Sequence, residues 1–407
     1  MVLVAGILVL YILYNRKVAV YLLDFACYRP PSSYRLPMSM FVEHFVLDNM
    51  DPESIAFQTK ILEKSGFSEE TCIPPSLSQL PLRKSLSSAT EEAETVMFSA
   101  VADLFKKTNT NPKAIDILVS NCSLFCATPS FAAMIVNKFR MRSNIMSFHL
   151  SGMGCSAGII SVSLAKDLLR VHRNSLALIV STETLNQDWY TGKYTSMLLS
   201  NCLFRMGGAA VLLSSREQDK SRAKYELKHL VRTNKAQDDI SHACVFKDVD
   251  MENKVGVTIS KGILNVAGDA LKENIAALGP LVLPFSEQLK FGFSIFCQKI
   301  MWNTKQRSIY VPDFKKAFDH FCIHAGGRAV IQGIEKSLRL RKQDLSYIEA
   351  KGRMKRGDGV WQIAFGSGFK CNSAVWQCVT DSEFEIADAW NDINRYPVEV
   401  PDVVKIN

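Results

Sequence analysis

The strongest constraint on this chain is a series of short apolar runs set between segments of helical periodicity. Ile115 to Val119, Ser175 to Val180 and Ala209 to Leu213 are nearly continuous in apolar residues, without the polar alternation of a half-exposed strand. Strands of that kind are buried on both faces, so the runs predict an α/β protein whose sheet is covered by helices on two sides. The helices are legible between them: Glu91 to Lys107 has amphipathic spacing and ends in Thr108-Asn109-Thr110-Asn111-Pro112, a turn. An internal echo adds to this. Lys113-Ala114-Ile115-Asp116 leads into Ile117-Leu118-Val119, and Lys316-Ala317-Phe318-Asp319 leads into His320-Phe321-Cys322-Ile323. Both come after a helical segment and open an apolar strand, as two copies of one α/β unit would.

Length and composition permit such a duplication. With 407 residues, 47% of them hydrophobic, the chain can bury a large core. Its eleven cysteines are scattered without a paired CxxC framework and read as reduced thiols. Cys122 and Cys126 lie four apart, but no second pair with zinc spacing accompanies them, so ordinary core thiols are the reading and no metal is expected. The net charge of +8 suits an anionic ligand or a membrane surface, yet the basic residues are dispersed and form no nucleic-acid motif.

The amino end differs from the rest. Val2 to Tyr14 is apolar and uncharged, Asn15-Arg16-Lys17 follows, and a second apolar run extends from Val18 to Ala26, broken by Asp24. The first run is shorter than the roughly 20 residues of a spanning helix. Its basic flank places the following chain on the cytosolic side, and residues 1–25 are read as a retained membrane-associated segment. A further apolar stretch, Leu278 to Ile300, carries Pro280, Pro284, Glu287 and Lys290. That makes it a poor spanning helix and a fair membrane-contacting surface or substrate channel.

The candidate chemistry centres on Cys155, inside Ser151-Gly152-Met153-Gly154-Cys155-Ser156-Ala157-Gly158. An extended run, Ile145 to Leu150, precedes it, and apolar residues at mostly helical spacing from Ile159 to Leu169 follow. Glycines allow a sharp turn and small neighbours admit a substrate carbonyl, while unpaired N–H groups at a helix start favour a thiolate. Strand, glycine turn, nucleophile and helix recur as one device in acyl-transfer enzymes; an inert core thiol beside a turn is the competing reading. A second constellation, His320-Phe321-Cys322-Ile323-His324-Ala325-Gly326-Gly327-Arg328, puts His324 at a strand's carboxyl edge, where α/β proteins build sites. His324 is the candidate thiolate partner and oxyanion donor. His320, four residues earlier, falls on the same face by period-two alternation and is the candidate supporting residue. The third element is Gly366-Ser367-Gly368 after the strand Val360 to Ile363, a turn whose backbone could cradle a thioester carbonyl or pantetheine arm.

Together with Asn201-Cys202-Leu203-Phe204-Arg205, Tyr347 to Arg353, Ala364 to Trp376, Tyr21 to Tyr28 and Tyr396 to Val400, these stretches resemble the plant 3-ketoacyl-CoA synthases over nearly the whole chain. These are the condensing enzymes of very-long-chain fatty acid elongation. The resemblance implies a thiolase-like duplicated αβαβα fold, with residues 26–218 as the half bearing Cys155 and 219–407 as the half bearing His324. It implies a decarboxylative condensation of malonyl-CoA with a long-chain acyl-CoA, giving 3-oxoacyl-CoA, carbon dioxide and CoA. No cofactor is needed beyond these substrates. The implied partners are a second copy or a related synthase, other elongase subunits, and the endoplasmic reticulum membrane, with the catalytic part facing the cytosol.

The match has departures. Between Ala325 and Cys371 there is no Asn, because the family's His-Arg-Phe-Gly-Asn-Thr-Ser segment is missing between Leu345 and Ser346. The family's second oxyanion donor goes with it, and Asn372 has its own match elsewhere in the family. Asn234 stands where histidine is usual, and relatives generally carry two spanning helices at the amino end. Two readings follow: a condensing enzyme, or an impaired homologue that modulates active relatives by dimerising with them. A soluble polyketide-type condensing enzyme fits the amino end poorly.

Overall fold

The computed structural model describes residues 18–65, 69–300, 310–340 and 354–381. Nine strands are joined by one hydrogen-bonded ladder: β1 (Tyr21–Cys27), β2 (Ile117–Asn121), β3 (Met146–Leu150), β4 (Leu176–Glu183), β5 (Gly207–Ser214), β6 (Tyr225–Asn234), β9 (His320–Ile323), β10 (Gly359–Gly366) and β11 (Lys370–Cys378), while β7 (Val245–Val249) and β8 (Val255–Ile259) form a separate hairpin. The order β3-β2-β4-β5-β1-β6-β11-β10-β9 reads almost alike from either end. In the first half β2 is parallel to β4, β4 antiparallel to β5, and β5 antiparallel to β1. In the second, β9 is parallel to β10, β10 antiparallel to β11, and β11 antiparallel to β6. Among the described residues the two sets are paired where Tyr21 and Leu22 oppose Glu226 and Tyr225, with Leu227 N–H donating to Val20 O just beyond. The echo in the sequence is therefore structural: β2 and β9 occupy matching places, each entered through a short 3-10 turn, Pro112–Ala114 or Phe314–Lys316.

The apolar cores stack in layers. The helix Leu86–Thr108 packs Ala93, Met97, Ala100 and Leu104 on the outer face of the first strand set, against Leu118, Leu178 and Leu212. It starts earlier than the periodicity predicts, at a cap in which Ser85 Oγ accepts the Ser88 N–H at 3.0 Å. On the outer face of the second set, Ala270, Leu271 and Leu278 of the helix Ile263–Val282 meet Phe321, Trp361 and Val375. Between the two sets lies the helix Ala157–Val171, whose Ile159, Val162, Ala165 and Leu169 share one core with Ile117 and Ile179 on one side and Val360, Ala374 and Trp376 on the other. An amphipathic stripe serves a surface helix; this one carries apolar residues for two sheets, which makes it the middle of an αβαβα stack.

One expectation needs correction. The second apolar run, from Val18 to Ala26, does not belong to a membrane segment: Tyr21–Cys27 is β1, with Val20, Tyr21, Leu22 and Leu23 all under 10% exposed. A boundary at residue 25 thus falls inside a core strand. The run is interrupted by Asp24 because that carboxylate is met by Lys107 at 2.9 Å and Lys224 at 3.3 Å. Among the described residues no helix is long and apolar enough to cross a membrane. Val2 to Tyr14, the Leu345–Ser346 junction, the Tyr347 to Arg353 motif and Tyr396 to Val400 lie outside the described residues.

Candidate active site

Cys155 stands between β3 and the helix Ala157–Val171, on a turn made possible by Gly152 at φ +68° and Gly154 at φ +71°. Both dihedrals lie in the left-handed region that disfavours any residue with a Cβ. The turn is fixed from two sides. Gly154 C=O accepts from Ala157 N–H at 2.9 Å, closing the start of the helix, and from Ser123 Oγ at 3.2 Å, which ties it to the end of β2. Cys155 itself precedes the helix cap, Ser156, and is solvent-exposed.

The second half of the chain meets this turn through glycines. A Cβ on Gly154 would lie 2.4 Å from Ser367 N, and one on Gly366 would lie 2.4 Å from Ser156 Oγ and 3.0 Å from Met153 O. Gly366 closes β10 and Ser367-Gly368 form the hairpin tip before β11, with Gly368 at φ +109° and Lys370 Nζ donating to Ser367 O at 2.6 Å. The predicted glycine turn and the predicted nucleophile turn are therefore packed backbone to backbone.

His324 immediately follows β9 and is held to β10 by its own N–H, which donates to Ile363 O at 2.9 Å. Its ring sits edge-on to Phe365, centroids 6.1 Å apart, so it flanks the Gly366 turn on the side away from β11. Gly326 gives it room: a Cβ there would come within 2.9 Å of the imidazole Cδ2. Among the described residues no hydrogen bond joins Cys155 to His324. His320 goes elsewhere. It begins β9 at the amino edge and its Nε2 pairs with Asp358 Oδ2 at 2.8 Å, roughly 13 Å along the strand from His324 at the usual rise per residue.

Protonation states follow from the surroundings. Although Cys155 as a residue reaches solvent, its thiol lies among the packed turns, where loss of hydration, and then the carboxylate of Glu183, push it up to about 11, against a smaller lowering by its own N–H. Burial also lowers the His324 imidazole below its ordinary value, so it is neutral near pH 7. Both shifts favour the uncharged forms, thiol and imidazole.

Glu183 is the site residue that pattern reading missed. At the carboxyl end of β4, it accepts N–H bonds from Ser123 at 2.8 Å and Leu124 at 3.0 Å. Its own carboxyl is raised by burial, against these hydrogen bonds. The available signal was a polar Ser181-Thr182-Glu183 closing an apolar strand at its carboxyl edge. Leu203 also reaches the site, near Gly327, whereas Asn201 from the same motif is structural, its amide bonded to Tyr190 and Gln58. Asn372 is buried with its Nδ2 unpartnered on β11, and Asn234 ends β6 opposite Lys370.

Known proteins agree with this architecture. The model of the FAE1/type III polyketide synthase-like family matches residues 12–300. The fold is similar to the carboxyl-terminal type III polyketide synthase domain of Steely1, a type I/III hybrid from Dictyostelium, with TM-score 0.67 and 15% identity, covering 89% of this chain and 100% of that one. A type III pentaketide synthase from Neurospora crassa gives TM-score 0.62 at 16% identity, covering 88% and 99% of the two chains. At such identities the likeness concerns the thiolase-like fold alone. Sequence relatives are much nearer: probable 3-ketoacyl-CoA synthase 21 of Arabidopsis thaliana is 54% identical across 99% of this chain and 92% of its own length. 3-Ketoacyl-CoA synthase 5 of the same plant is 53% identical across 95% and 83%. The chain belongs to the 3-ketoacyl-CoA synthase family.

Proposed function

We propose that this protein condenses a long-chain acyl group with malonyl-CoA in very-long-chain fatty acid elongation, with Cys155 as the acyl-accepting nucleophile. The observation that carries the reading is the Gly154–Gly366 contact, which joins the turn bearing Cys155 to the glycine turn that closes β10, the strand to which His324 is hydrogen-bonded. Because the thiol's pKa is raised, its proton must leave as the acyl-CoA carbonyl arrives, and the His324 imidazole is the base at hand. Cys155 Sγ then bonds the acyl carbon, the carbon–sulfur bond to CoA breaks, and CoA leaves as the thiol. Malonyl-CoA loses carbon dioxide, and its bonding pair becomes a thioester enolate. The enolate carbon attacks the Cys155 thioester, the sulfur departs and is reprotonated, and 3-oxoacyl-CoA is released. An N–H donor from His324 stabilises the enolate oxygen; one such donor typically contributes about 2.7–4 kcal/mol. The Gly366-Ser367-Gly368 backbone holds the thioester or pantetheine arm.

The apolar run Val2 to Tyr14 with its basic flank supports membrane attachment at the endoplasmic reticulum with the catalytic part in the cytosol. A pairing with a second copy or a related synthase fits β3, which ends the ladder and has no outer strand partner among the described residues. The test is malonyl-CoA-dependent elongation of long-chain acyl-CoAs by microsomes carrying this chain or its Cys155→Ala variant. Elongated product only with the parent supports the reading; equal product from both overturns it and leaves the impaired, partner-modulating chain.

A further inference from the structure

The helix Phe285–Ile300 is oriented opposite to what burial of apolar surface would dictate. Its inner face carries a charge: Glu287, with a side chain fully shielded from solvent, accepts from Lys316 Nζ at 2.6 Å, Tyr310 Oη at 2.6 Å and the Asp313 N–H at 3.1 Å. Its outer face carries Phe285, Leu289, Phe293 and Phe296, respectively 74%, 59%, 68% and 59% exposed. These positions follow the i, i+4, i+8, i+11 spacing of a single helical stripe. Leu281, 52% exposed on the preceding helix, continues it, and Lys290 flanks it with a half-exposed side chain. Four large apolar residues in register exceed the single apolar side chains scattered over an ordinary surface.

We infer that this stripe docks on a phospholipid bilayer, the helix lying in the interface plane with its phenylalanines among the acyl chains. Aromatic and leucine side chains on one face, with a lysine able to extend toward headgroups, are the chemistry of an interfacial helix. The placement of the chain's amino end favours lipid as the occupant. Tyr21 opposes Glu226, Glu226 opposes Gln377 and Gln377 opposes Gly359, whose N–H donates to Asp319; this row leads to Lys316 and so to Glu287. Tyr21 therefore lies four strand spacings, roughly 20 Å, from β9, just before which the chain reaches Lys316, and residue 18 precedes Tyr21 by three residues of extended chain. The chain before it is the uncharged apolar run Val2 to Tyr14 followed by Asn15-Arg16-Lys17. A bilayer holding that run is within reach of the stripe. The inference does not require the condensation chemistry.

The test uses the full chain with a photo-crosslinking phenylalanine analogue at position 293 or, as control, at Leu86, which is 70% exposed on another helix. Each protein is bound to vesicles of phosphatidylcholine and phosphatidylinositol and irradiated. The inference expects a lipid adduct at 293, none at 86, and loss of the adduct when Phe285, Leu289 and Phe296 are replaced by Gln. Crosslinking of 293 to a second copy, or to a peptide of the same chain, overturns it, as does equal labelling at both positions. Elongase activity plays no part in the readout, so failure here is distinguishable from failure of the proposed reaction.

Discussion

Gly154 and Ser367 approach so closely that a single methyl group on the former would sit 2.4 Å from the backbone nitrogen of the latter. The nucleophile turn and the second half's glycine hairpin thus form one rigid surface. Gly152→Ala and Gly154→Ala separate two effects. Both place a Cβ at positive φ, about 1–2 kcal/mol of strain, but a Cβ on Gly152 would meet no heavy atom within 4 Å beyond its chain neighbours. Gly152→Ala should lose that much stability and keep Cys155 acylation by acyl-CoA, read by intact-protein mass spectrometry. Gly154→Ala should lose acylation while circular dichroism stays native.

Gly326→Ala tests whether His324 acts where it is placed. The added methyl meets Cδ2 at 2.9 Å and Nε2 at 3.1 Å, so the ring must turn or the loop must shift. Misplacement of a reacting group by about 1 Å can cost on the order of 100-fold in rate. The variant should lose about that factor in kcat with little change in melting temperature. His320→Asn, which alters a pair with Asp358 at the other end of β9, should affect stability more than kcat.

Much of this arrangement was legible from residues. The buried strands could be read because β2 and β4 are covered on both faces, and the echo at Lys113 and Lys316 because β2 and β9 are equivalent strands. Cys155 and Gly366 stand out because tight turns demand glycine. What stayed hidden depends on pairing across the chain. β1 resembles a membrane-bound run because a central strand is as apolar as a lipid-facing segment, and only its partners β5 and β6 tell them apart. The influences that raise the thiol's pKa stayed hidden for a like reason: the helix start acts locally, while burial by the packed turns and the Glu183 carboxylate at the end of β4 depend on contacts across the chain.

The opposition between Glu183 and Cys155 predicts a pH profile. A thiol raised to about 11 is almost wholly protonated at pH 8, so its alkylation by iodoacetamide should climb about tenfold per pH unit without a plateau below pH 10. Glu183→Gln keeps an oxygen for the Ser123 or Leu124 N–H and removes the negative charge. Its Cys155 should titrate lower and alkylate faster than the parent at pH 8. Slower alkylation would mean that Glu183 acts chiefly by holding the β2 loop, and the electrostatic account would fail.

Glu287 ties the exposed helix to the fold through the same kind of linkage with the opposite sign. Lys316, then Tyr310 and the Asp313 N–H, hold its carboxyl well below the usual carboxylate range. A carboxyl depressed in the folded state favours folding above its unfolded pKa, and that contribution disappears as pH falls through the folded value. The melting temperature of the parent should exceed that of Glu287→Gln most clearly near pH 7, and the gap should narrow as the pH is lowered from 5 toward 3. A gap independent of pH would assign the stabilisation to packing of the side chain rather than to its charge. Because the pair with Lys316 lies beneath the stripe, Glu287→Gln should also weaken lipid labelling at position 293, as the helix loses its anchor while keeping its apolar face.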